Sequence, residues 1–308
     1  MESTALVSFV MPAKNAADYL EEAIKGVLNQ SVPSWELIII EDHSSDDTFQ
    51  VAMAAAKNDQ RISVYKNIGN GKVTGLNYGY SKAQGTIIKC IDADDVLHEQ
   101  LAEIVISNSA DAFCHSAYLT DANLNTISTH HMSKKILNKN FNYCFQRLIA
   151  LPRWTWSFNR NLGDIIFPMP EELPYEDLWF SMVIKKHSKS IANITKPLYY
   201  YRQHNNQTYG GILNYQEEKS RFRAGRKLEA IKVLEKKYYY FYNSKDELTA
   251  SLRNIKKYLE LMSESDVSMR KILFNNLPFP LTARLFVLKR TPYIIPFITK
   301  LVLQKTRF

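Results

Sequence analysis

Apolar and polar residues alternate along the first hundred residues in a pattern that predicts strands and helices in turn. Four short runs rich in Ile and Val predict buried strands, at residues 6–11, 35–40, 61–65 and 86–91. Amphipathic segments between them predict helices over 19–28, from position 46 or 47 to 57, and over 72–84. Strands of this composition that alternate with helices form βαβ units, so we expect an α/β fold with a mostly parallel sheet flanked by helices.

Polar clusters follow each of the four predicted strands, at residues 12–15, 41–47, 67–72 and 92–95. The carboxyl ends of parallel strands share one edge of a sheet, and ligands of such sheets bind outside that edge. We therefore expect a binding site there. Residues 110–212 are less regular and rich in aromatic residues and Pro, and from about 213 onward the chain has a helical pattern.

The composition narrows the class of protein. The 308 residues are 45% hydrophobic and 23% charged, as in an ordinary globular protein of one or two domains. Three cysteines, Cys90, Cys114 and Cys144, are too few for a disulfide framework and lack the spacing of a zinc site. We expect reduced thiols in a cytoplasmic protein.

The charge of the chain is concentrated in its last third. Residues 213–308 contain 20 Lys and Arg against nine Asp and Glu, a net charge of +11, whereas the rest has 19 against 22. Residues 267–308 contain eight basic residues and no acid, between short apolar clusters divided by prolines. This pattern indicates a peripheral contact with the inner face of the cell membrane. The alternative is that the apolar clusters pack on the protein or form an oligomer contact.

Two other interpretations of the chain's ends are disfavoured. The basic region lacks a zinc pattern or basic-zipper heptads, so we expect no nucleic-acid partner. Glu2 stands where a signal peptide would carry a basic residue, and no apolar run approaches the ~20 residues that span a bilayer.

The strongest local signal is the run Asp92, Asp94 and Asp95 directly after the fourth predicted strand. Crowded carboxylates repel one another unless a cation neutralises them. Mg²⁺ and Mn²⁺ suit such oxygen ligands and are commonly shared with substrate phosphates. The alternative is that these residues cap a helix that begins near His98.

These motifs together resemble the nucleotide-sugar-binding half of family 2 glycosyltransferases, which have the GT-A fold. The similarity extends loosely over residues 5–208, through 174–177 and 199–204, and leaves the basic tail outside. It rests on the order and spacing of matched positions: Pro12 and Asn15, Gln30, Asp42, Ser44, Asp46 or Asp47 and Thr48, Asn67 and Gly69, Gly79, Ala83 and Gly85, and Asp92, Asp94 and Asp95.

Three positions depart from the family pattern. Glu41 replaces the first Asp of the usual pair and keeps its charge, and Gly26 stands where a Ser is frequent. His43 occupies a position where Gly is common, which predicts that this turn needs no positive φ.

The resemblance implies a donor site in which Asp42 accepts the N3–H of uracil, Asp92 contacts the ribose and Lys72 approaches the nucleotide. Without the resemblance, Asp42 would be interpreted as a helix cap and Lys72 as a solvated lysine. The full set of implied donor-binding residues is Pro12, Ala13, Asn15, Asp42, Lys72, Asp92 and Asp94.

The resemblance also implies a metal and a general base. Asp94 and His204 would hold Mn²⁺ or Mg²⁺, with Asp95 behind them or in contact with the sugar, and Asp177 would take the proton of the acceptor hydroxyl. Acids also favour helix N-termini, which is the alternative for Asp177 and Glu176. The implied acceptor residues are Glu176, Trp154 and Trp156, and these two tryptophans and Trp179 are equally well explained as core.

The sequence thus predicts an inverting, metal-dependent glycosyltransferase. It would move a sugar from a nucleotide-sugar, a UDP-sugar, to a glycan or lipid-linked acceptor in cell-surface polysaccharide synthesis. The predicted organisation is a GT-A catalytic domain over 1–212, with a donor half (1–110) and an acceptor half (111–212), and a helical basic region over 213–308. Two alternatives are a sugar nucleotidyltransferase, disfavoured because the loop after the first strand has no Gly, and a non-catalytic relative that binds sugars or a partner enzyme.

Overall fold

The computed structural model describes residues 7–204, 217–274 and 276–290. Its strands are β1 (Val7–Ala13), β2 (Trp35–Glu41), β3 (Ile62–Lys66), β4 (Ile87–Cys90), β5 (Val96–Leu97), β6 (Ala112–Thr120), β7 (Thr126–His130), β8 (Trp156–Asn159) and β9 (Ile191–Arg202). Its helices are α1 (Ala17–Leu28), α2 (Thr48–Asn58), α3 (Lys72–Lys82), α4 (Leu101–Ile106), α5 (Lys134–Leu137), α6 (Phe141–Phe145), α7 (Arg160–Ile166), α8 (Glu176–His187), α9 (Glu217–Lys236), α10 (Lys245–Ser263), α11 (Met269–Leu273) and α12 (Phe279–Arg290). Two 3₁₀ turns lie at Arg153–Thr155 and Tyr238–Tyr240.

The first four strands form the parallel part of the sheet, in the order β3-β2-β1-β4. All seven residues of β1 are buried, because helices or other strands cover it on every side. Strands buried on both faces are continuous apolar runs rather than alternating ones, which is why they could be predicted. These four strands lie within a residue or two of their predicted positions.

The remaining strands extend the same sheet in the order β8-β6-β9-β5, with β7 paired to β6. Here β8 runs antiparallel to both β4 and β6, whereas β6 and β9 are parallel. The sheet as a whole is therefore mixed, and its parallel part is the predicted one. The carboxyl end of β4 and the chain before β8 lie at one edge, where the polar residues described below converge.

The chain divides into two compact units. Among the described residues, the first comprises 7–141, 150–171 and 176–204, and it holds the whole sheet. The second comprises 142–149, 172–175 and the described residues after 216. The predicted boundary between 212 and 213 lies outside the described residues, so that division stays a prediction.

The second unit is built from long helices. In α10 the apolar residues recur every three or four positions and are buried, and the Ser244 side chain caps the helix by accepting a hydrogen bond of 3.2 Å from the Glu247 N–H. In the part of the chain that the structure describes, no helix combines the length and apolar character that crossing a bilayer requires. Residues 291–308 of the predicted membrane segment lie outside the described residues.

Candidate active site

The loop after β4 carries Asp92, Asp94 and Asp95, the three predicted site carboxylates. The strand β9 fixes the start of this loop, because the backbone N–H of Asp92 donates to the Tyr199 hydroxyl at 3.1 Å. Arg202, the last residue of this strand, and His204, just after it, contact the other two aspartates. The loop is thus held by a segment more than one hundred residues away along the chain.

An arginine without a predicted role lies at the centre of the site. Arg153 is only 2% exposed, and its guanidinium donates to Asp92 and, at 3.3 Å, to Glu176. Its backbone N–H donates to Oδ1 of Asp177 at 2.7 Å. Arg153 therefore links the carboxylate after β4 to the two carboxylates that begin α8.

Lys72 brings a second cation to the same group. It is the first residue of α3, and its Nζ lies 2.9 Å from Asp92 and 3.7 Å from Glu176. Although desolvation favours the neutral amine, the two carboxylates hold the pKa of Lys72 above its ordinary value. Desolvation likewise opposes ionisation of Asp92, but the charges of Arg153 and Lys72 hold its pKa far below the usual range.

The two acids that begin α8 differ in protonation. Burial alone would raise the pKa of Glu176, but Lys72 and Arg153 keep it below its ordinary value. Burial and the nearby charge of Glu176 raise the pKa of Asp177 to about 7. Two neighbouring carboxyls whose pKa values are driven apart can serve separate roles, one as a fixed negative charge and one as a proton acceptor near neutral pH.

Asp94 and His204 face each other on the other side of the loop. The Nε2 atom of His204 lies 3.0 Å from Oδ2 of Asp94. Arg202 holds the backbone here, since its Nε donates to the Asp94 carbonyl at 2.8 Å and its N–H donates to Asp95 at 2.8 Å. Burial and then the charges of the two neighbouring aspartates raise the pKa of Asp95 well above its ordinary value.

These residues fit a divalent ion. Nε2 of His204 and Oδ2 of Asp94 lie 3.0 Å apart, a separation that calls for a proton on Nε2. A divalent ion could take the place of that proton, with the imidazole nitrogen and the carboxylate oxygen as two of its ligands. Nδ1 of His204 has no hydrogen-bond partner within the described ranges and would then carry the proton. No group of three His, Cys, Asp or Glu able to hold an ion occurs among the described residues. An ion with one carboxylate and one imidazole would take its other ligands from substrate phosphates and water, as Mg²⁺ commonly does.

Asp42 lies at the end of β2 and is 3% exposed. Its carboxylate accepts hydrogen bonds from the Gly71 N–H at 2.9 Å and the Asn67 side chain at 2.7 Å, with Lys14 at 3.5 Å. None of these partners belongs to α2, whose first N–H, that of Thr48, donates to Asp46 at 3.0 Å, so Asp42 does not cap that helix. Asp42 instead organises the loop between β3 and α3.

Pro12 and Ala13 lie beside Asp42, where the carbonyl of Ala13 accepts the Asp42 N–H at 2.8 Å. Asn15 has a φ of 47° and accepts a bond of 2.8 Å from the Ser45 N–H. The prediction that the turn at His43 needs no positive φ is wrong. The φ of His43 is 55°, a conformation that a Gly would adopt freely. A contact of 2.9 Å between His43 Nε2 and the Gly69 carbonyl accompanies this conformation.

The predicted sugar-stacking tryptophans are core residues. Trp156 and Trp179 are fully buried and Trp154 is 6% exposed. The ring of Trp154 stacks on Tyr199 and on Tyr201, with each pair of ring centroids 5.2 Å apart. Burial of this degree favours the core alternative, and the acceptor role implied for Trp154 and Trp156 stays a prediction.

The fold is that of GT-A glycosyltransferases. A family model described as "Glycosyl transferase family 2" matches residues 8–162, half of the chain. The chain belongs to glycosyl transferase family 2, and the predicted enzyme class, a glycosyltransferase, is that of its relatives.

Relatives and solved structures agree with this assignment. The chain is 40% identical over 91 residues to "Putative teichuronic acid biosynthesis glycosyltransferase TuaG" of Bacillus subtilis, which is 29% of this chain and 36% of TuaG. It spans less than two thirds of the other first curated relatives as well. The TarS structure from S. aureus with UDP-GlcNAc superposes with a TM-score of 0.56 at 17% identity, covering 84% of this chain and 88% of TarS. The mannosyltransferase PcManGT of Pyrobaculum calidifontis, in complex with GDP-Man and Mn²⁺, gives 0.55 at 14% identity, covering 94% and 83%. These two structures confirm the predicted fold class.

Three side chains that organise the site have no predicted role: Arg153, Tyr199 and Arg202. The last two lie within the segment 199–204 that carries part of the resemblance, so a signal for them was present. Arg153 lies in the irregular region before β8. The sequence pointed to it only through its position next to Trp154, a candidate acceptor residue. Its importance follows from contacts distant in sequence, which no local pattern encodes.

Proposed function

We propose that this protein is an inverting glycosyltransferase that uses a UDP-sugar and a divalent ion to extend a glycan or lipid-linked acceptor in cell-surface polysaccharide synthesis. The observation that carries the proposal is the pair Glu176 and Asp177 at the start of α8. Arg153 and Lys72 keep Glu176 ionised, and its charge helps to raise the pKa of Asp177 to about 7. An inverting transfer needs one such base, and it needs no covalent intermediate.

In this mechanism Asp177 accepts the proton of the acceptor hydroxyl as its oxygen attacks the anomeric carbon. The Arg153 N–H, 2.7 Å from Oδ1 of Asp177, orients the carboxylate and leaves the other oxygen to act as the base. Glu176, held by Arg153 and Lys72, supplies a fixed negative charge beside the acceptor. Asp177→Asn, which keeps the size of the side chain but cannot accept a proton, is the decisive test of this assignment.

The donor side of the mechanism uses Lys72, which follows β3, and the carboxylates after β4. Lys72 and Arg153 both donate to Oδ1 of Asp92, so Oδ2 remains able to accept hydrogen bonds from the ribose. Lys72 is half exposed and would reach the diphosphate. Asp94 and His204 would hold the ion, which when bound stabilises the departing diphosphate as a Lewis acid. The complexes of TarS with UDP-GlcNAc and of PcManGT with GDP-Man and Mn²⁺ support a nucleotide-sugar donor and a metal.

UDP is the favoured nucleotide because an acceptor-only carboxylate suits the N3–H of uracil. Oδ1 of Asp42 receives the two shortest bonds, from Asn67 and Gly71, and the nearest contacts of Oδ2 are longer, at 3.1 and 3.5 Å. Oδ2 therefore keeps acceptor capacity for a base. Asp42 would then both organise the loop 67–71 and read the nucleotide.

The nucleotide assignment predicts that Asp42→Ala weakens UDP binding about 10- to 150-fold, the equivalent of about 1.5–3 kcal/mol for a lost hydrogen bond to a charged group. Calorimetric titration with UDP, dTDP and GDP measures it, alongside release of UDP from UDP-sugars in Mn²⁺ or Mg²⁺. The wild type should bind UDP in preference to GDP and hydrolyse or transfer from UDP-sugars.

A matched variant separates the two roles of Asp42. Asn67→Ala removes the 2.7 Å tether to the loop but keeps the carboxylate, so it should lower UDP affinity much less than Asp42→Ala. Equal losses in the two variants would mean that Asp42 acts only through the loop. Unchanged affinity in Asp42→Ala, or turnover of GDP-sugars alone, would contradict the UDP assignment.

A second part of the proposal concerns the acceptor's location. Phe274 and Phe279, at the end of α11 and the start of α12, are 77% and 82% exposed, and Leu273 is also exposed. Residues 267–308 contain no acid of their own, although Lys271 in this segment is paired with Glu264 at 2.7 Å. The charge that accompanies the apolar surface is therefore mainly basic. Exposed aromatic side chains among basic residues suit the headgroup region of an anionic bilayer, where each Lys or Arg contributes about 1 kcal/mol.

This membrane contact predicts that the full chain floats with vesicles containing anionic lipid and is released at high salt. The double variant Phe274→Ser/Phe279→Ser should float at least tenfold less, because it removes the two exposed rings that would insert. Phe222→Ser is the control, since Phe222 is an exposed aromatic residue of the same unit outside the segment. Flotation that is absent in the wild type, or equal in the double variant, would contradict a membrane contact through this segment.

A further inference from the structure

A buried lysine lies directly behind the active site. Lys89 belongs to β4, three residues before Asp92, and is fully buried. Its Nζ contacts three acceptors: the carbonyl of Trp154, the carbonyl of Trp156 at 3.2 Å and Nε2 of His115 at 2.8 Å. An ammonium group has three N–H donors, so this environment satisfies it without any carboxylate.

The histidine in this cluster acts as an acceptor. Nδ1 of His115 lies 2.9 Å from the Ser116 carbonyl, which places its proton on Nδ1 and leaves the Nε2 lone pair for Lys89. Burial and then the charge of Lys89 hold the pKa of His115 well below its ordinary value, so the ring is neutral. Burial and then the charge of Arg153 lower the pKa of Lys89 to about 7.

The position of Lys89 in the sheet shows what the cluster does. The ladder between β4 and β8 consists of two residue pairs and ends at Ile88 with Phe158. Beyond that point the Lys89 side chain joins β4 to the chain that leads into β8, by bonding the carbonyls of Trp154 and Trp156. One side chain thus continues the connection where the backbone hydrogen bonds stop.

The segment that Lys89 holds also contains Arg153, which contacts the carboxyl groups of the site. Arg153 precedes Trp154 within the same 3₁₀ turn, and it bonds Asp92 and Glu176 by its side chain and Asp177 by its N–H. A turn of three residues has little capacity to absorb a shift at one end. Movement of the Trp154 carbonyl would therefore move the N–H that orients Asp177.

We propose that Lys89 is a positioning residue for this reaction, which fixes the turn Arg153–Thr155 against β4 and thereby holds the Arg153 N–H on Asp177. The inference rests on the proposed role of Asp177 as the base. Lys89 does not touch substrate in this arrangement. Its effect on catalysis passes through the backbone of Arg153.

The test is the pH dependence of kcat/KM in Lys89→Met, which keeps the length and burial of the side chain but removes its donors. Without the hydrogen bond from the Arg153 N–H, the ionised form of Asp177 is less stable and its pKa rises. The acidic limb, the part of the profile in which kcat/KM falls with decreasing pH, should therefore move upward by about one pH unit, the size expected for a lost hydrogen bond to a carboxylate. We expect kcat to fall about 100-fold, as for a small misplacement of reacting groups. UDP affinity should stay as in the wild type.

Two controls separate positioning from loss of stability. Tyr80→Phe removes a hydrogen bond of 2.5 Å to Asp164, and Ser157→Ala removes a buried hydroxyl without a partner among the described residues. Both should keep the wild-type limb. The limb position does not depend on the concentration of active enzyme, so a partly folded preparation of Lys89→Met still reports it. If that variant yields no folded protein, His115→Leu removes one acceptor and should shift the limb in the same direction by less.

The outcomes distinguish this inference from its premise. The role of Lys89 is overturned if folded Lys89→Met has the wild-type kcat and the wild-type acidic limb of the pH profile. If Lys89→Met does not fold, a wild-type acidic limb in His115→Leu overturns it. If Asp177→Asn transfers sugar at the wild-type rate, the base assignment fails and the role of Lys89 fails with it. If Asp177→Asn is inactive and the acidic limb of Lys89→Met is not shifted, the role of Lys89 is overturned and the base assignment stands.

Discussion

Asp177→Asn is expected to lower the rate of sugar transfer by about 10²–10⁴, the usual contribution of a positioned general base. The amide keeps the size of the side chain and can still accept the Arg153 N–H, but it cannot take a proton. Binding of UDP should stay the same, because Asp177 lies on α8 and the nucleotide assignment rests on Asp42. Initial rates of transfer and calorimetric titration with UDP measure the two quantities.

The pH profile sharpens this prediction. A base must be unprotonated to act, so kcat/KM should rise with pH up to the pKa of Asp177, about 7, and level off above it. Below that pH each unit should cost about tenfold in rate. The limb should be absent from whatever activity Asp177→Asn retains.

Glu176→Gln is the matched control for the pH profile. Glu176 contributes a negative charge that raises the pKa of Asp177, so removing that charge should move the acidic limb to lower pH. This direction is opposite to the shift expected for Lys89→Met. A wild-type rate in Asp177→Asn, or a limb that does not respond to Glu176→Gln, would contradict the assignment of the base.

The parallel half of the sheet could be predicted because its signals are local. Strands β1, β2 and β4 are almost wholly buried runs, and β3, at the end of the sheet, is a half-buried strand. The polar loops between them follow at regular intervals. The location of these polar loops follows from the same pattern, because parallel strands deliver their carboxyl ends to one edge. The roles of Asp42, Asp92 and Asp94 within the loops depended on the resemblance to the family.

The second half could not be predicted to the same depth, because its strands depend on distant partners. β6 is placed between β8 and β9, and these pairings join residues 42 to 82 positions apart. Arg153, Lys89 and Arg202 gain their roles only from such contacts. Buried charged residues are also the type that sequence patterns assign to the surface, since Lys and Arg are almost never fully buried unless paired.

The electrostatics of the site explain why these buried cations are present. Asp92, Glu176 and Asp177 lie close together, and three like charges in a desolvated cleft would otherwise raise one another's pKa values. Arg153 and Lys72 neutralise the first two, which leaves Asp177 as the carboxyl of this group with the raised pKa. The division of roles between neighbouring acids is thus set by which of them the cations reach.

The second large effect is expected at the proposed metal site. Asp94→Asn should lower transfer about a thousandfold or more, since a Lewis acid at a departing diphosphate is worth several kcal/mol. The fold should survive, because Asp94 lies in a loop and its side chain is partly exposed. EDTA should stop the wild type, and Mn²⁺ or Mg²⁺ should restore it.

Metal binding itself gives a readout that does not depend on turnover. Titration of Mn²⁺ in the presence of UDP, followed by the EPR signal of the free ion, should show at least tenfold weaker binding in Asp94→Asn and His204→Ala, because each removes a donor of the pair that lies 3.0 Å apart. Asp18→Asn is the like-for-like control, an exposed aspartate on α1 that should leave Mn²⁺ affinity unchanged. Full activity of the wild type in EDTA would contradict metal dependence. Wild-type Mn²⁺ affinity in both variants would mean that other groups hold the ion. The contact between Asp94 and His204 would then be only a hydrogen bond that supports the loop.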